Sequence, residues 1–396
     1  MSSPSPAVAL SATLAIQVYT SFAATAVAVL APAMAQSLDV PASWIGAFVG
    51  VVYAGAMLAS VLCGAYIARH GAIRVSQVCV ALCAAGIATV ALAGPLALVV
   101  VAALLLGVGY GPITPASSDV LARTTPASRM SLVFSIKQTG VPAGAALAGA
   151  VLPATSLVAG WRGALAIAAV LGVAVVAAAQ PIRASLDTHR RRDADVAFAR
   201  AFRAVRDILA HRELASIALL SFAYAAAQVC LTSFLVVHLT GVLGWSLVAA
   251  GFALSVGTVG GVAGRIFWGA ISDHTRRPRA VLGVIGLIAS ACALGTAAST
   301  ATWPPVAIYA IVALFGATAI GWNGVMLAEV ARLAPAGEAG ATTGATGFVT
   351  FAGVMAGPPL FAALSAATGS TQAGFVAIAA LSALTGAMFL WRSRRP

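Results

Sequence analysis

The chain has 396 residues, 61% of them apolar and 8% charged, and its 22 lysines and arginines outnumber 10 acids for a net charge of +12. Soluble globular domains carry charge on about a quarter of their residues, so this composition excludes one and calls for an integral membrane protein. No nucleotide loop, metal-ligand cluster or nucleophile constellation occurs, and no soluble stretch is long enough to hold one, so no catalytic residue, cofactor or metal is expected.

Met1 to Ala7 lack the basic start of a signal peptide, and the apolar run after them is too long for one, so it is expected to stay as the first membrane helix. A spanning helix needs about 20 mainly apolar residues. Six such runs lie near 9–33, 43–68, 75–94, 96–121, 131–158 and 161–180, and six more near 214–240, 245–272, 280–300, 303–331, 342–367 and 372–391. The expected fold is therefore all-α and integral to the membrane, with twelve transmembrane helices in two pseudo-symmetric six-helix bundles. Residues 1–180 form the first half, 181–213 a polar linker, and 214–396 the second half. Cys63, Cys79, Cys83, Cys230 and Cys292 all fall inside apolar runs without paired spacing and read as small core hydrophobes.

The halves repeat each other. Gly64-Ala-Tyr-Ile-Ala68-Arg69-His70-Gly71-Ala-Ile-Arg74 is answered 205 positions later by Gly269-Ala-Ile-Ser-Asp273-His274-Thr-Arg276-Arg277-Pro278-Arg279, and Gly46 and Tyr19 map at the same offset onto Gly251 and Tyr224. Further on, Asp119 to Pro126 answers Glu329 to Pro335, and Gly140/Gly144 answers Gly353/Gly357, both pairs at the small-x-x-x-small spacing that lets helices approach closely. Breakers occur at Pro32, Gly107 to Pro112, Pro115, Pro142 and Pro358-Pro359, and in lipid such helices face protein or a wet cavity.

Nineteen of the 22 basic residues fall in loops on one side: Arg69, Arg74, Arg123, Arg129, eight in the linker, Arg276, Arg277, Arg279, Arg332, and Arg392, Arg394 and Arg395. Positive loops stay inside, so both termini and the linker are expected to be cytoplasmic, in a bacterial-style inner membrane. That placement accounts for the net charge without a nucleic-acid partner. In the linker, Phe198, Phe202, Val205 and Leu209 recur at helical spacing while arginines take the other faces; an amphipathic helix on the inner leaflet and a solvated connector both fit.

A repeated half of six spans, with charged loops after the second and eighth, resembles the major facilitator superfamily of secondary transporters over essentially the whole chain. Its loop motif is Gly-x-x-x-Asp-Arg-x-Gly-Arg-Arg. The first copy keeps Gly64, Arg69, Gly71 and Arg74 but has Ala68 for the acid; the second keeps Gly269, Asp273, Arg276 and Arg277 but has His274 for arginine and lacks the second glycine. The resemblance implies a gating role for these residues, with Asp273 latching the start of the fifth span near Ser131; the plainer alternative is pairing with Arg276 or Arg277.

Lys137 and Arg265 are the two charges at membrane depth, each costing about 2.5–3.5 kcal/mol there. Both are cations, which points to an anion site. The stretch Gly264 to Asp273 resembles the eighth helix of monocarboxylate and oxalate:formate transporters, which implies that Arg265 binds substrate carboxylate. Those monocarboxylate carriers place an acid one turn earlier, where this chain has Gly261. Ser135 to Pro142 resembles the fifth helix of cyanate-permease-like members. Lys137 snorkelling to the headgroups and Arg265 bonding backbone carbonyls at a broken helix are the alternatives.

Polar stripes of Thr13, Gln17 and Thr20 on the first span and of Ser221, Tyr224, Gln228 and Thr232 on the seventh mark a candidate path, with Tyr19, Tyr110 and Asn323 as further candidates. His238 reads as an interfacial histidine or a proton-coupling group. The expected function is secondary active transport of a small organic anion of the carboxylate class by alternating access, with proton symport or anion exchange. The partners are the bilayer, the anion and protons as candidate co-substrate, and the protein is expected to be a monomer. The runner-up is a drug or metabolite efflux antiporter, because Gly140-Val-Pro142-Ala-Gly144 resembles the antiporter glycine-proline motif.

Overall fold

In lipid every backbone N–H and C=O must find a partner within the protein, which leaves helices as the available form for apolar runs of this length. The computed structural model describes residues 5–38, 44–92, 96–188, 190 and 198–393, and among these there is no strand. Linker residues 189 and 191–197, with Arg191 and Arg192, and the tail's Arg394 and Arg395 lie outside the described residues.

The first half supplies α1 (Pro6–Leu38), α2 (Trp44–His70), α3 (Ala72–Leu92), α4 (Leu96–Tyr110), α5 (Ile113–Thr124), α6 (Met130–Gln138) and α7 (Gly140–Leu186). The linker forms α8 (Phe198–Ala210). The second half supplies α9 (Arg212–Gly241), α10 (Leu247–Thr275), α11 (Pro278–Ala298), α12 (Pro305–Ala319), α13 (Asn323–Leu333), α14 (Ala339–Thr368) and α15 (Thr371–Ser393). Among the described residues, 11 helical stretches are long and apolar enough to cross a membrane, one of them the 60-residue stretch Ala127–Leu186. At 1.5 Å per residue that stretch would run about 90 Å against a hydrocarbon core of about 30 Å. Gly160 resolves this: its φ of 68° and ψ of 166° are non-helical, so the chain bends there and the stretch is two crossings. The protein is a multi-pass helical membrane protein, with twelve crossings among the described residues.

Three spans are interrupted. The fourth breaks at Gly111-Pro112 between α4 and α5, and the tenth at Ile320 to Trp322 between α12 and α13. The fifth is interrupted at Thr139, whose φ of −62° and ψ of −18° stay helical, so hydrogen bonding pauses there without a change of direction. Pro32 and Pro358-Pro359 lie inside the continuous helices α1 and α14.

The chain divides into two compact units that do not follow the sequence halves. Unit 1 is Met1–Thr125, Lys137–Leu214 and Val330–Phe348; unit 2 is Pro126–Ile136, Ala215–Glu329 and Val349–Pro396. In unit 1, α1 packs on α7, α3 on α4 and α7, and α2 on α4. In unit 2, α11 packs on α15 and α12, and α10 on α12. Glycine closes matching contacts in both. A Cβ on Gly107 would strike the Val52 carbonyl between α4 and α2, and one on Gly316 the Gly257 carbonyl between α12 and α10. Likewise Gly144 sits against Val18 of α1, and Gly353 against Phe222 of α9.

Helix α8 lies in unit 1 against α2. Phe202 meets Phe348 edge-on at 5.9 Å between ring centroids. Val205 and Ile208 are buried while Leu209 is exposed, so the covered stripe runs through Ile208 in place of Leu209. That apolar face is covered by protein, and Arg203 and Arg206 point outward.

Candidate functional site

Buried charge at a helix interruption is the feature common to both units. Lys137 is the last residue but one of α6, just before the pause at Thr139, and is 1% exposed. Its Nζ donates to Gln17 Oε1 at 2.6 Å and to Gln138 Oε1 at 3.0 Å, with a longer contact to Thr114 Oγ1 at 3.5 Å. The Thr114 hydroxyl also donates to Gln17 Oε1 at 3.4 Å. Gln17 comes from α1, and Thr114 from the first turn of α5 just past the Gly111-Pro112 break. The ammonium is thus turned into the protein and held by neutral oxygens. Gly140 leaves room for Gln17, whose Cβ and Cγ would lie 3.0 Å from any added Cβ.

In unit 2, Arg265 of α10 is 2% exposed, and its Nε donates to the Ile320 carbonyl at 3.1 Å. That carbonyl lies at the break of the tenth span. Beside it Trp268 Nε1 donates to the Ala317 carbonyl at 2.9 Å. Gln228 Oε1 accepts from Trp322 Nε1 at 3.2 Å and from Asn323 Nδ2 at 3.1 Å, which joins α9 to the same break. Tyr224 meets the Trp322 ring edge-on at 5.6 Å.

Of the residues singled out from sequence, unit 1 brings Gln17 to Lys137, and unit 2 brings Gln228 to Asn323. The two tyrosines of the repeat bind backbone: Tyr19 donates to the Ala168 carbonyl at 3.2 Å and Tyr224 to the Leu282 carbonyl at 2.7 Å. Tyr110 ends α4, half-buried. Gln138, Thr114 and Trp322 were not singled out, although Gln138 adjoins Lys137 and glycines flank Trp322-Asn323.

The motif loops differ. Asp273 lies in unit 2 with the start of α6, where its Oδ1 accepts from Ser131 N at 3.0 Å and its Oδ2 from Leu132 N at 2.8 Å. The Ser131 and Ser272 hydroxyls stand 3.0 Å apart beside it. Gly269 faces Ser135 of α6, Arg276 and Arg277 are exposed, and Arg279 pairs with Glu329 at 2.8 Å. In the first loop, Gly64 faces Ala341 within unit 1, Arg69 is exposed and Arg74 is half-buried. Arg123 pairs with Asp119 at 2.9 Å and also donates to the Leu186 carbonyl at 3.2 Å. His238 is fully buried in unit 2. Its Nε2 lies 2.9 Å from the Thr296 carbonyl and must donate there, which leaves Nδ1 to accept from the Thr371 hydroxyl at 2.8 Å.

Among the described residues, twelve apolar crossings in two copies of a six-span half, with broken helices and buried cations beside the breaks, define a polytopic membrane protein. Residues 13–358 match the Major Facilitator Superfamily, and the chain belongs to that family: it is a major facilitator transporter. No curated protein matches the sequence significantly. Among solved structures the chain is similar to the E. coli fucose:proton symporter, with a TM-score of 0.76, 17% identity, and coverage of 99% of this chain and 100% of that one. It is similar to the human organic anion transporter MFSD10, with a TM-score of 0.77, 16% identity, and coverage of 98% of this chain and 100% of that one. It is also similar to a proton:xylose symporter, with a TM-score of 0.69, 15% identity, and coverage of 97% of this chain and 94% of that one. At these identities the likeness shows the fold alone.

Proposed function

We propose that this protein is a secondary active transporter of a small organic anion of the carboxylate class, with Lys137 and Arg265 as its recognition cations. The observation that carries the reading is the Lys137 ammonium, buried at a helix interruption and held by neutral oxygens of Gln17, Gln138 and Thr114. A lysine ammonium is a compact point charge, and in a low-dielectric setting such a charge attracts a carboxylate strongly. Several carboxylates are engaged elsewhere: Asp119 with Arg123, Glu329 with Arg279, Asp187 and Asp273 with backbone N–H groups. The Arg265 bond to Ile320 is both a tie across the broken tenth span and a means of orienting the guanidinium.

The reading includes rocking of two six-helix halves, 1–180 and 214–396, joined by the 181–213 linker, with the motif residues as gating elements. It places the charged loops and both termini in the cytoplasm, the chain in an inner membrane as a monomer, and protons or a counter-anion as the coupling solute. A second reading is a neutral hydroxylated solute. It is favoured by the amide, indole and phenol groups of Gln228, Asn323, Trp322 and Tyr224 clustered at the tenth-span break.

A ligand that binds only the folded state raises stability by RT ln(1 + [L]/Kd), about 2.7 kcal/mol at a hundredfold excess over Kd. Thermal unfolding of the purified protein with a panel of mono- and dicarboxylates, beside Lys137→Ala and Arg265→Ala, tests the reading. Stabilisation by a carboxylate that both variants lose, followed by flux of that anion into proteoliposomes, is the expected result. Stabilisation by sugars and by no anion would transfer the assignment to the second reading.

A further inference from the structure

The start of α14 is held differently from its counterpart at α6. In the second copy of the charged loop, Gly269 faces Ser135, and Asp273, one turn further along α10, accepts from the N–H groups of Ser131 and Leu132. In the first copy Gly64 packs on α14, where a Cβ added to it would lie 2.7 Å from that of Ala341. One turn further along α2 stands Ala68, which has no oxygen to offer. Among the described residues no side chain accepts from the N–H groups of Ala339, Gly340 or Ala341, and the first hydrogen-bonded amide of α14 is that of Thr342, to the Glu338 carbonyl at 2.9 Å. Nearby carboxylates do not fill the place: the Cβ of Asp119 is 3.1 Å from one added to Gly340, but its carboxylate pairs with Arg123, and Glu338 is exposed. Deeper in, the seam is made of small residues, with Gly344 against the Ser60 carbonyl and Ser60 Oγ donating to the Gly344 carbonyl at 3.1 Å. Such contacts bring backbones close but bury little apolar side chain.

The linker helix α8 touches both members of this seam within unit 1. It packs on α2, and Phe202 meets Phe348 of α14 edge-on at 5.9 Å between ring centroids. Phe202, Val205 and Ile208 share one stripe of the helix, with Val205 and Ile208 buried and Arg203 and Arg206 on the exposed side. We propose that α8 is a brace that holds the uncapped start of α14 on α2, filling through apolar contact the role that the Asp273 carboxylate has at the start of α6. The linker is then a control element as well as a connector. Lifting α8 frees the first turns of α14 while the start of α6 stays capped, whatever solute is carried.

Backbone hydrogen exchange of the purified, ligand-free protein reads local opening directly. The amides to follow are those of residues 342–348, with the capped start of α6 as internal control. Phe202→Ala and, separately, Ile208→Ala are expected to speed exchange at 342–348 at least tenfold and to leave α6 unchanged. Adding Ala68→Asp or Ala68→Asn to Phe202→Ala supplies the missing acceptor, and the neutral asparagine does so without repulsion from Asp119 and Glu338. At least one of the two is expected to bring exchange back to within threefold of the wild type. Arg203→Gln with Arg206→Gln, on the exposed face, is expected to change nothing at these amides. Unchanged exchange at 342–348 in both apolar variants overturns the inference, and so does an equal rise at the start of α6, which would be general loosening. An effect of the arginine pair as large as that of Phe202→Ala places the coupling on the charged face and also overturns it. Failure of both Ala68 variants to restore protection does the same, because α8 would then be holding something other than an uncapped helix start.

Discussion

Gly71 and Arg276 stand 205 residues apart, at the same place in the two copies of the charged loop, and both hold positive φ, 94° and 53°. Glycine adopts that conformation without penalty; a residue with a Cβ pays about 1–2 kcal/mol. Arg276 is the only non-glycine with positive φ among the described residues. The second loop has therefore lost its glycine and kept the turn, so the helices on either side, and not the local residue, set the backbone. The acids have moved in the opposite sense. The second loop uses its own Asp273 to receive two successive N–H groups, Ser131 and Leu132, at the start of α6. Ala68 occupies that place in the first loop. There Asp187, just past α7, takes the N–H groups of Ile73 at 2.8 Å and Arg74 at 3.0 Å at the start of α3. Each carboxylate satisfies orphan donors where the helix dipole is positive.

The largest way to break the comparison is Gly71→Ala. The new Cβ would combine an unfavourable φ with a collision against the Asp187 carboxylate, for a loss on the order of 2–4 kcal/mol from backbone strain and overpacking together. Thermal unfolding in detergent should register it as a clear drop in Tm; an unchanged Tm would show that the first loop tolerates what its geometry forbids. Asp273→Ala comes next, with about 1–2 kcal/mol lost as two helix-start donors go unsatisfied, and Asp273→Asn restores part of it. If Ala and Asn behave alike, the side chain is not capping α6. Arg276→Gly sharpens the comparison with the opposite sign. Relief of strain less the backbone entropy of glycine leaves a gain of about 0.5 kcal/mol. A loss instead would mean the Arg276 side chain contributes more than its backbone costs.

These residues also show how far the chain could be read before its structure. A charge inside an apolar run is a loud signal, so Lys137 and Arg265 stood out, and run lengths set the number of crossings. Gln138, Thr114 and Trp322 did not stand out because an uncharged polar residue in a span is ordinary, and its role depends on which helix it faces. The repeat paired Tyr19 with Tyr224 but gave neither its partner, which is a backbone carbonyl in both units. Helical spacing placed Leu209 on the covered side of α8, and packing chose its neighbour Ile208. The break at Ile320 to Trp322 had glycine but no proline to announce it. Asp187 carried no motif at all; only the fold brings it to a loop more than a hundred residues earlier.

Asp187 is also where pH enters the comparison. Burial pushes its carboxyl up from 3.8 to about 6, against the pull of the Ile73 N–H and of Arg190, Arg123 and Arg183. Arg123 is shared with Asp119. Because the folded chain holds this proton more tightly than the unfolded one, the carboxyl contributes stability that is complete below pH 4 and is lost as pH rises through about 6. Asp187→Asn cannot titrate, so the Tm of the wild type should rise relative to that of the variant as pH falls from 7 to 4, by on the order of 1–2 °C. A difference that stays flat would mean that two N–H groups and three arginines outweigh burial and keep the cap ionised. A difference that falls with acid would mean the cap works only as a carboxylate, and the first loop would then loosen at the pH where its proton arrives.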